Sequence, residues 1–365
     1  MHASLSGFLS TFTIVALAGL TLGLTACGDS DSSSNDPSTS DPAAGGDPVA
    51  KDRGVSGSLV VYCGRSDAFV QSAIDAFTEE TGVTVKLKSG KSAALSQTLV
   101  TEGENSPADV FWAQDAGALG LVAAAGGLRK LSAETLDRVG ATFRSRDGTW
   151  VGVTGRARVA CFNTDKVKAA DLPSGIAGFA DVQWKGRLGW APTNGSFLAF
   201  VTALRAQQGE PAARAWLRGI QDNEPKVYPK NTPAVQAVAD GEIDVAFVNH
   251  YYLFRVLRDR GGKAPIENGY FAAGDIGNLV NVSGAGVVAV SKNPVAAEAF
   301  VAFLLSPATQ KIFTDENQEY PLVAGVAMHE RLRPLREVGP PDVDLNGLAD
   351  LKATLALLRE LGILN

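Results

Sequence analysis

The sequence predicts an α/β protein of two lobes, each a mixed or parallel sheet flanked by helices. Short apolar runs rich in β-branched residues alternate with segments whose apolar residues recur at helical spacing. Such alternation is typical of parallel sheets covered by helices. The patterned part, 57–365, is too long for one small domain, which favours two lobes.

The elements follow one another along this part of the chain. The first helix has Ser66 as a candidate N-cap and Gly82 at its end, both common at helix boundaries. The predicted strands are Ser58–Cys63, Val83–Lys88, Ala108–Ala113, Arg187–Ala191 and Ile243–Asn249, and the predicted helices are Asp67–Thr81, Ser92–Glu102, Pro233–Asp240 and one that begins near Ser196.

Polar residues follow the predicted strands where the strands end. In open α/β sheets, ligands bind beyond the carboxyl ends of the strands. We therefore expect a cleft lined by several loops, namely 63–67, 113–115, 192–196 and 249–252.

Charge and motifs exclude several classes of function. The chain has a formal charge of −6, of which residues 28–56 carry −4 and residues 1–27 none, so the remaining part is nearly neutral. Nucleic-acid binding needs clustered Lys and Arg, which this part lacks. The common hydrolase and nucleotide motifs are absent, and only His250 and His329 follow Cys27, so the sequence does not favour an enzyme.

The N-terminus resembles a bacterial lipoprotein signal. An uncharged apolar run, Phe8–Leu24, is followed by Thr25, Ala26 and Cys27. The resemblance implies a signal peptide over 1–26, lipid on Cys27 and anchoring on the extracytoplasmic side of the cell membrane. Residues 27–56 are rich in Asp, Ser, Gly and Pro, which predicts a disordered tether. A transmembrane helix is the alternative, near the lower length limit of about 17 residues.

Tyr251 and Tyr252 are the most suggestive pair in the sequence. Neighbouring residues of a helix point about 100° apart, so both rings cannot occupy the centre of one buried face, and a helix N-terminus is expected. There the helix dipole favours negative charge and so lowers the cost of forming phenolates. Two phenolates suit a hard trivalent cation such as Fe³⁺. Amphipathic aromatics at the edge of a lobe are the alternative.

Candidate anion-binding groups occur in two places. Asn194-Gly195-Ser196 opens a predicted helix, where backbone N–H groups bind anions; an ordinary N-cap is the alternative. Arg65, Arg156 and Arg158 each have a guanidinium that can hold an anion or form a structural ion pair. Cys63 and Cys161 can either pair, as exported proteins permit, or remain small buried residues.

Six stretches of the sequence occur together in one order, namely Tyr62–Ser66, Gly103–Leu119, Trp150–Asp165, Trp184–Phe197, Val248–Arg255 and Glu319–Val326. Together they resemble the substrate-binding proteins of ferric-iron ABC importers. The resemblance covers about 57–330 and implies the two-lobed periplasmic-binding-protein fold with two crossings between the lobes. It places 57–154 and 283–365 in lobe 1 and 155–282 in lobe 2. It also implies delivery of iron to a permease with an ATPase, and we expect a monomer.

The resemblance also assigns roles residue by residue. The paired iron-binding tyrosines match Tyr251 and Tyr252, and the anion-binding helix start matches 194–196. Asn231 and Asn249 match positions that line the anion site in some members. Other members supply a His or a His-Tyr pair where this chain has Ser66 and Asp67. Some supply a Glu where this chain has Gln114, and some a third Tyr where it has Phe162.

Three ways of completing the site therefore remain open. Carbonate or phosphate, held by Arg65, Ser66 and the residues of the helix start, completes the Fe³⁺ shell. Alternatively, Asp67 or Asp115 binds the metal directly. The third alternative is a ferric chelate or a non-metal solute, such as a small anion, thiamine or a polyamine, in the same cleft.

Overall fold

The computed structural model describes residues 54–364, so the predicted signal peptide, the predicted lipid site at Cys27 and most of the predicted tether lie outside the described residues. The strands are β1 (Ser58–Cys63), β2 (Thr84–Ser89), β3 (Val110–Ala113), β4 (Val151–Asn163), β5 (Leu188–Trp190), β6 (Lys226–Val227), β7 (Val245–Asn249), β8 (Ile266–Gly269), β9 (Val280–Val287) and β10 (Tyr320–Pro321). The helices are α1 (Gln71–Thr81), α2 (Ser92–Glu102), α3 (Ala116–Ala124), α4 (Ala133–Leu136), α5 (Gly195–Gln208), α6 (Glu210–Asp222), α7 (Asn231–Ala239), α8 (Tyr251–Asp259), α9 (Pro294–Leu304), α10 (Pro307–Asn317), α11 (Leu335–Val338) and α12 (Leu351–Glu360).

The first sheet has the strand order β2-β1-β3-β9-β4, and the lobe built on it is called the first lobe. β1 runs parallel to β2 and β3, whereas β9 is antiparallel to β3 and β4. Every residue of β3 is buried, as expected for an apolar strand covered on both faces. β2 lies at the sheet edge and is mostly exposed, which explains its alternating sequence.

The second sheet contains the last part of β4, with β7 and β8 antiparallel to it, and β5 between β7 and β6. The lobe built on this sheet is called the second lobe. β4 belongs to both sheets: Ala157 pairs with Val280 in the first, and Arg158 pairs with Asn249 in the second. The predicted α/β architecture is therefore confirmed, with mixed rather than purely parallel sheets.

The chain crosses between the sheets for a second time at 270–279, between β8 and β9. The resemblance places the lobe boundaries after residues 154 and 282. The first lies close to the change of sheet in β4, but the second lies inside β9, whose pairs are all within the first sheet. A pattern of apolar residues identifies a strand but not its partners, which accounts for the difference.

The C-terminal helix corrects the expected composition of lobe 1. α12 packs on α5 of the second lobe, where the hydroxyl oxygens of Thr202 and Thr354 lie 2.7 Å apart. Arg205 of α5 also forms an ion pair with Asp350, directly before α12. The segment 350–361 therefore leaves the first lobe and packs on the second.

Several local predictions can be compared with the structure. Gly82 ends α1 in the left-handed conformation, as predicted. The helix begins later than expected, because a short 3₁₀ turn (Asp67–Phe69) precedes it and Ser66 makes no side-chain cap. The predicted tether is too long at its end, since Val55 packs against the core and the Ser56 carbonyl accepts a hydrogen bond from Asn293.

The two cysteines of the folded part are free and buried, so the disulfide alternative is not realised. Burial raises the pKa of the Cys63 thiol to about 11 and that of Cys161 to about 12. Within residues 54–364, no helix has the length and apolar character needed to cross a membrane.

Candidate functional site

The two adjacent tyrosines lie at the start of α8, as their spacing predicted. β7 ends at Asn249, and Tyr251 and Tyr252 are the first two residues of the helix. Their ring centroids are 4.4 Å apart, and the side chains are 4% and 9% exposed. Tyr251 and Asn231 both influence the pKa of the Tyr252 phenol, so the three side chains lie close together.

The environment keeps the second phenol neutral in the absence of a ligand. Burial, and then the neighbouring Tyr251, raise the pKa of Tyr252 well above its usual value, whereas Asn231 and the charge of Arg156 lower it. A buried phenol ionises only when a cation replaces its proton. The pair is therefore suited to a strongly charged cation.

The start of α5 lies beside the tyrosines and is held by side-chain hydrogen bonds. Asn194 is the N-cap, and its Oδ1 accepts hydrogen bonds from the backbone N–H and the hydroxyl of Ser196 at 3.0 and 2.7 Å. The Ser196 Oγ in turn accepts hydrogen bonds from Asn231 Nδ2 and Arg158 Nη1, both at 3.2 Å. This network orients the helix end and leaves Gly195 exposed at it.

Arg158 connects the network to β7. Its Nη1 also donates to Asn249 Oδ1 at 3.2 Å, and its Nη2 donates to the Phe247 carbonyl at 2.9 Å. Burial lowers the pKa of Arg158 to about 10, so the guanidinium remains charged at neutral pH. The structure thus brings together the predicted anion-site residues Asn194, Gly195, Ser196, Asn231, Asn249 and Arg158.

Arg156 lies two residues before Arg158, on the same face of β4. It is 3% exposed, and its Nε has no hydrogen-bond partner in the part of the chain that the structure describes. An unsatisfied buried guanidinium nitrogen is unfavourable and is expected to gain an acceptor from a ligand. The Oδ1 of Asn231 is likewise buried without a partner in that part.

Asp115 approaches the same place from the first lobe. Its Oδ1 caps α3 by accepting a hydrogen bond from the Ala118 N–H at 2.9 Å. Its Oδ2 lies 4.0 Å from the position that a Cβ on Gly195 would take. Burial raises the pKa of Asp115, whereas the N–H groups of Ala118 and Gly117 and the charge of Arg156 lower it.

A small cavity lies between these groups. Its volume is about 10 Å³, which is room for about one water molecule. Any larger ligand held there must contact residues of both lobes. The lining consists of Gln114, Asp115, Arg156, Arg158, Ser196, Asn249, Leu279 and Asn281.

Three predicted residues after β1 are not among those that line the cavity. Arg65 forms a buried ion pair with Glu319, so its charge is already neutralised. Ser66 is exposed, and Asp67 is exposed and accepts a hydrogen bond from the hydroxyl of Ser89. The position of a residue after a strand predicts that it lies near the cleft but not which way its side chain points.

The positions of Gln114 and Phe162 also bear on the site. Gln114 lines the cavity, while Phe162 is buried in the apolar core of the second lobe and offers no donor atom. Within residues 54–364, no group of three or more His, Cys, Asp or Glu side chains is placed to hold a metal.

His250 is a residue whose role sequence reasoning missed. Its Nδ1 accepts a hydrogen bond from the Ala157 N–H at 3.2 Å, and its Nε2 donates to the Gln318 carbonyl at 2.7 Å. It therefore ties the start of α8 both to the residue where β4 changes sheets and to the first lobe. The signal available was a lone His between Asn249 and the tyrosines, which has no pattern of its own.

Comparison with known proteins places this chain in a family. Residues 72–331 match the family model of bacterial extracellular solute-binding proteins. The major ferric iron-binding protein of Neisseria meningitidis is 36% identical over 313 residues, which cover 84% of this chain and 93% of that protein.

Solved structures agree with this match. Iron-bound HitA from Pseudomonas aeruginosa is 36% identical and superposes with a TM-score of 0.80 over 84% of this chain and 99% of that one. A Trichodesmium protein (IdiA, FutA) in complex with iron and citrate is 31% identical, with a TM-score of 0.73 over 84% and 99%. The chain belongs to the bacterial extracellular solute-binding protein family and has its two-lobed fold.

Proposed function

We propose that this chain binds Fe³⁺ between its two lobes through the phenolate oxygens of Tyr251 and Tyr252 and delivers it to an ABC importer. The observation that carries the proposal is the pair itself: two buried phenols converge at a helix N-terminus beside two buried guanidinium groups. The ferric iron-binding protein of Neisseria and iron-bound HitA support this assignment through their similarity.

An anion at the start of α5 completes the metal shell in this proposal. Two phenolates leave Fe³⁺ short of negative oxygen ligands, and the described residues offer no further cluster of ligands. The candidate anion ligands are the exposed backbone of Gly195, the Ser196 hydroxyl, Asn231, Arg156 and Arg158. Carbonate and phosphate both have oxygen atoms suited to bridging from these donors to the metal.

Charge balance favours a dianion. The ion and the guanidinium groups of Arg156 and Arg158 carry five positive charges, whereas two phenolates and the Asp115 carboxylate carry three negative ones. Two positive charges would remain buried, which is unfavourable without a counter-charge. An anion of charge −2 removes this excess.

Transport follows from lobe movement. An open cleft admits the metal and the anion, and closure brings Asp115 of the first lobe to the start of α5 in the second. We place the boundaries between the lobes at Ala157–Arg158 and at 270–279. The partners are a permease with its ATPase, and lipid on Cys27 with a tether up to about residue 54 keeps a monomer close to them, outside the cytoplasm.

The test uses the colour of ferric tyrosinate. Fe³⁺ is added to residues 54–365 with carbonate or phosphate, and the visible charge-transfer band is recorded for the wild type, Tyr251→Phe and Tyr252→Phe. Tyr228→Phe, a change in a tyrosine outside the site, is the matched control. We expect the band in the wild type and the control, and its loss or marked weakening in both site variants. A colourless wild type, or equal colour in all four proteins, contradicts the proposal.

A ferric chelate is the second candidate ligand. The Trichodesmium relative that binds iron together with citrate favours it. A chelate supplies its own anionic oxygens, so it would replace the separate anion. Iron supplied as citrate should then bind more tightly than iron supplied with phosphate, and mass spectrometry under native conditions should detect bound citrate. A non-metal solute in the same fold predicts no colour with any iron source.

A further inference from the structure

The carboxylate of Asp115 is unusual for an anion site, because it is a negatively charged hydrogen-bond acceptor that lines the same cavity as two guanidinium groups. Its Oδ1 is committed to the N-cap of α3. Its Oδ2 points towards the start of α5, 4.0 Å from the Cβ position of Gly195. Asp115 and both arginines line the same small cavity.

An independent observation shows that the cavity is prepared for a ligand. Arg156 is almost completely buried and lines it, and its Nε has no hydrogen-bond partner in the described part of the chain. A donor of this kind requires an acceptor atom, which an anion oxygen supplies. The same anion must then lie between Arg156 on one side and Asp115 on another.

Two acceptor oxygens in contact repel each other unless a proton lies between them. The N–H groups of Ala118 and Gly117 and the charge of Arg156 favour the ionised form of Asp115. Against an ionised Asp115, an anion oxygen at Oδ2 is unfavourable for an anion without an O–H group, and favourable for one that can donate. Hydrogenphosphate and hydrogencarbonate have such a group, whereas sulfate and carbonate do not. Of these, hydrogenphosphate also has the charge of −2 that the site needs.

We propose that Asp115 selects the anion that accompanies iron, and that it requires an anion with an O–H group, which donates a hydrogen bond to Asp115 Oδ2. The inference rests on the proposed function, because the anion is bound between the metal and α5. It assigns Asp115 as a specificity-determining residue and gives it no role as a metal ligand.

The experiment compares two anions of equal charge and similar shape. Fe²⁺ chloride is oxidised by CO₂-free air in carbonate-free buffer near pH 7, with residues 54–365 and increasing hydrogenphosphate or sulfate. The tyrosinate band reports complex formation. The loss of one charged hydrogen bond predicts that sulfate is about ten- to hundredfold less effective than hydrogenphosphate.

The variant Asp115→Asn removes the acceptor-only group and keeps a good N-cap for α3. Its amide can donate, so we expect sulfate to approach the effectiveness of hydrogenphosphate. Asp75→Asn, a change in an exposed carboxylate of α1 outside the cavity, should preserve the wild-type preference. Thermal unfolding checks that each variant folds. If Asp115→Asn does not fold, arsenate and selenate extend the comparison in the wild type, since only arsenate retains an O–H group near pH 7.

Each outcome bears on the inference. Equal action of sulfate and hydrogenphosphate on the wild type, or an unchanged ratio in Asp115→Asn, overturns it. The inference is also overturned if the wild type shows the tyrosinate band without any added anion and Asp115→Asn does not. Asp115 would then be a metal ligand. Absence of colour with every anion sinks the proposed function, and the inference falls with it. These failures differ, because only the last abolishes the tyrosinate band in the wild type.

Discussion

Both carboxylate oxygens of Glu319 lie 2.8 Å from Nη2 of Arg65, and this buried ion pair joins the end of β1 to the residue before β10. Thr154 of β4 donates a further hydrogen bond to Glu319 at 2.8 Å. Three segments distant in sequence therefore meet at one carboxylate. The pair is structural, and it makes the first lobe sensitive to changes at either residue.

Loss of Glu319 as a partner should destabilise the fold. Glu319→Gln or Arg65→Met leaves one charge buried without its counterpart, which typically costs about 3–5 kcal/mol. Urea unfolding of residues 54–365 measures the change. Asp315→Asn, which removes the exposed pair with Lys311, is the control and should shift stability by less than about 1 kcal/mol. If the variants of the buried pair lower the unfolding free energy as little as the control does, Arg65 is free to bind a ligand.

Iron affinity should rise with pH. The pKa of Tyr252 is raised mainly by burial, so the phenol is protonated at neutral pH and must lose its proton when the metal binds. Each proton released contributes up to about tenfold in affinity per pH unit. Competition with a chelator of known protonation behaviour, near pH 6 and pH 7.5, measures the slope. An affinity independent of pH after this correction would exclude the phenolates as ligands.

The metal-free protein should lose stability as the pH falls from about 6.5 to about 4. Burial lowers the pKa of His250 to about 4, whereas the unfolded chain takes up the proton near 6.5. The neutral ring therefore contributes stability that is complete above about pH 6.5 and is lost towards pH 4, by up to about 3 kcal/mol. Unfolding free energies over this range should fall more steeply for the wild type than for His250→Gln. If the unfolding free energies of the wild type and His250→Gln fall equally steeply with pH, groups other than His250 cause the loss of stability.

The two thiols of the folded part should be unreactive until the protein unfolds. Both are buried and free, and burial raises the pKa of each, which suppresses the reactive thiolate. A chromogenic thiol reagent should label fewer than about 0.1 thiol per molecule of residues 54–365 in native buffer. In guanidinium it should label both. If no thiol reacts in guanidinium, Cys63 and Cys161 form a disulfide.

Local features could be predicted from the sequence because local patterns determine them. Apolar periodicity identified the strands and helices, and the rule that adjacent helical residues diverge predicted Tyr251 and Tyr252 at the start of α8. Asn194 as the N-cap of α5 also follows from residue preference alone.

Pairings between distant segments could not be predicted in the same way. Arg65 and Glu319 are 254 positions apart in the sequence. Likewise, α12 packs on α5 although most of the second lobe's sequence lies between them. Both ring nitrogens of His250 form hydrogen bonds, one with a backbone N–H and the other with a backbone carbonyl, and any residue could supply these groups. Contacts of this kind depend on the three-dimensional fold, so no spacing in the sequence identifies them.

β4 is one continuous strand whose two ends are fixed by hydrogen bonds in different sheets. A change in the angle between the lobes must therefore be taken up by the backbone torsions of a few residues near Ala157 and Arg158. Arg156 and Arg158 flank this point, and Asp115 lies on the opposite side of the cleft. Opening should thus separate the groups around the anion at the same time as it exposes the tyrosines. We expect the anion and the metal to leave together, so that the lifetime of one limits the lifetime of the other.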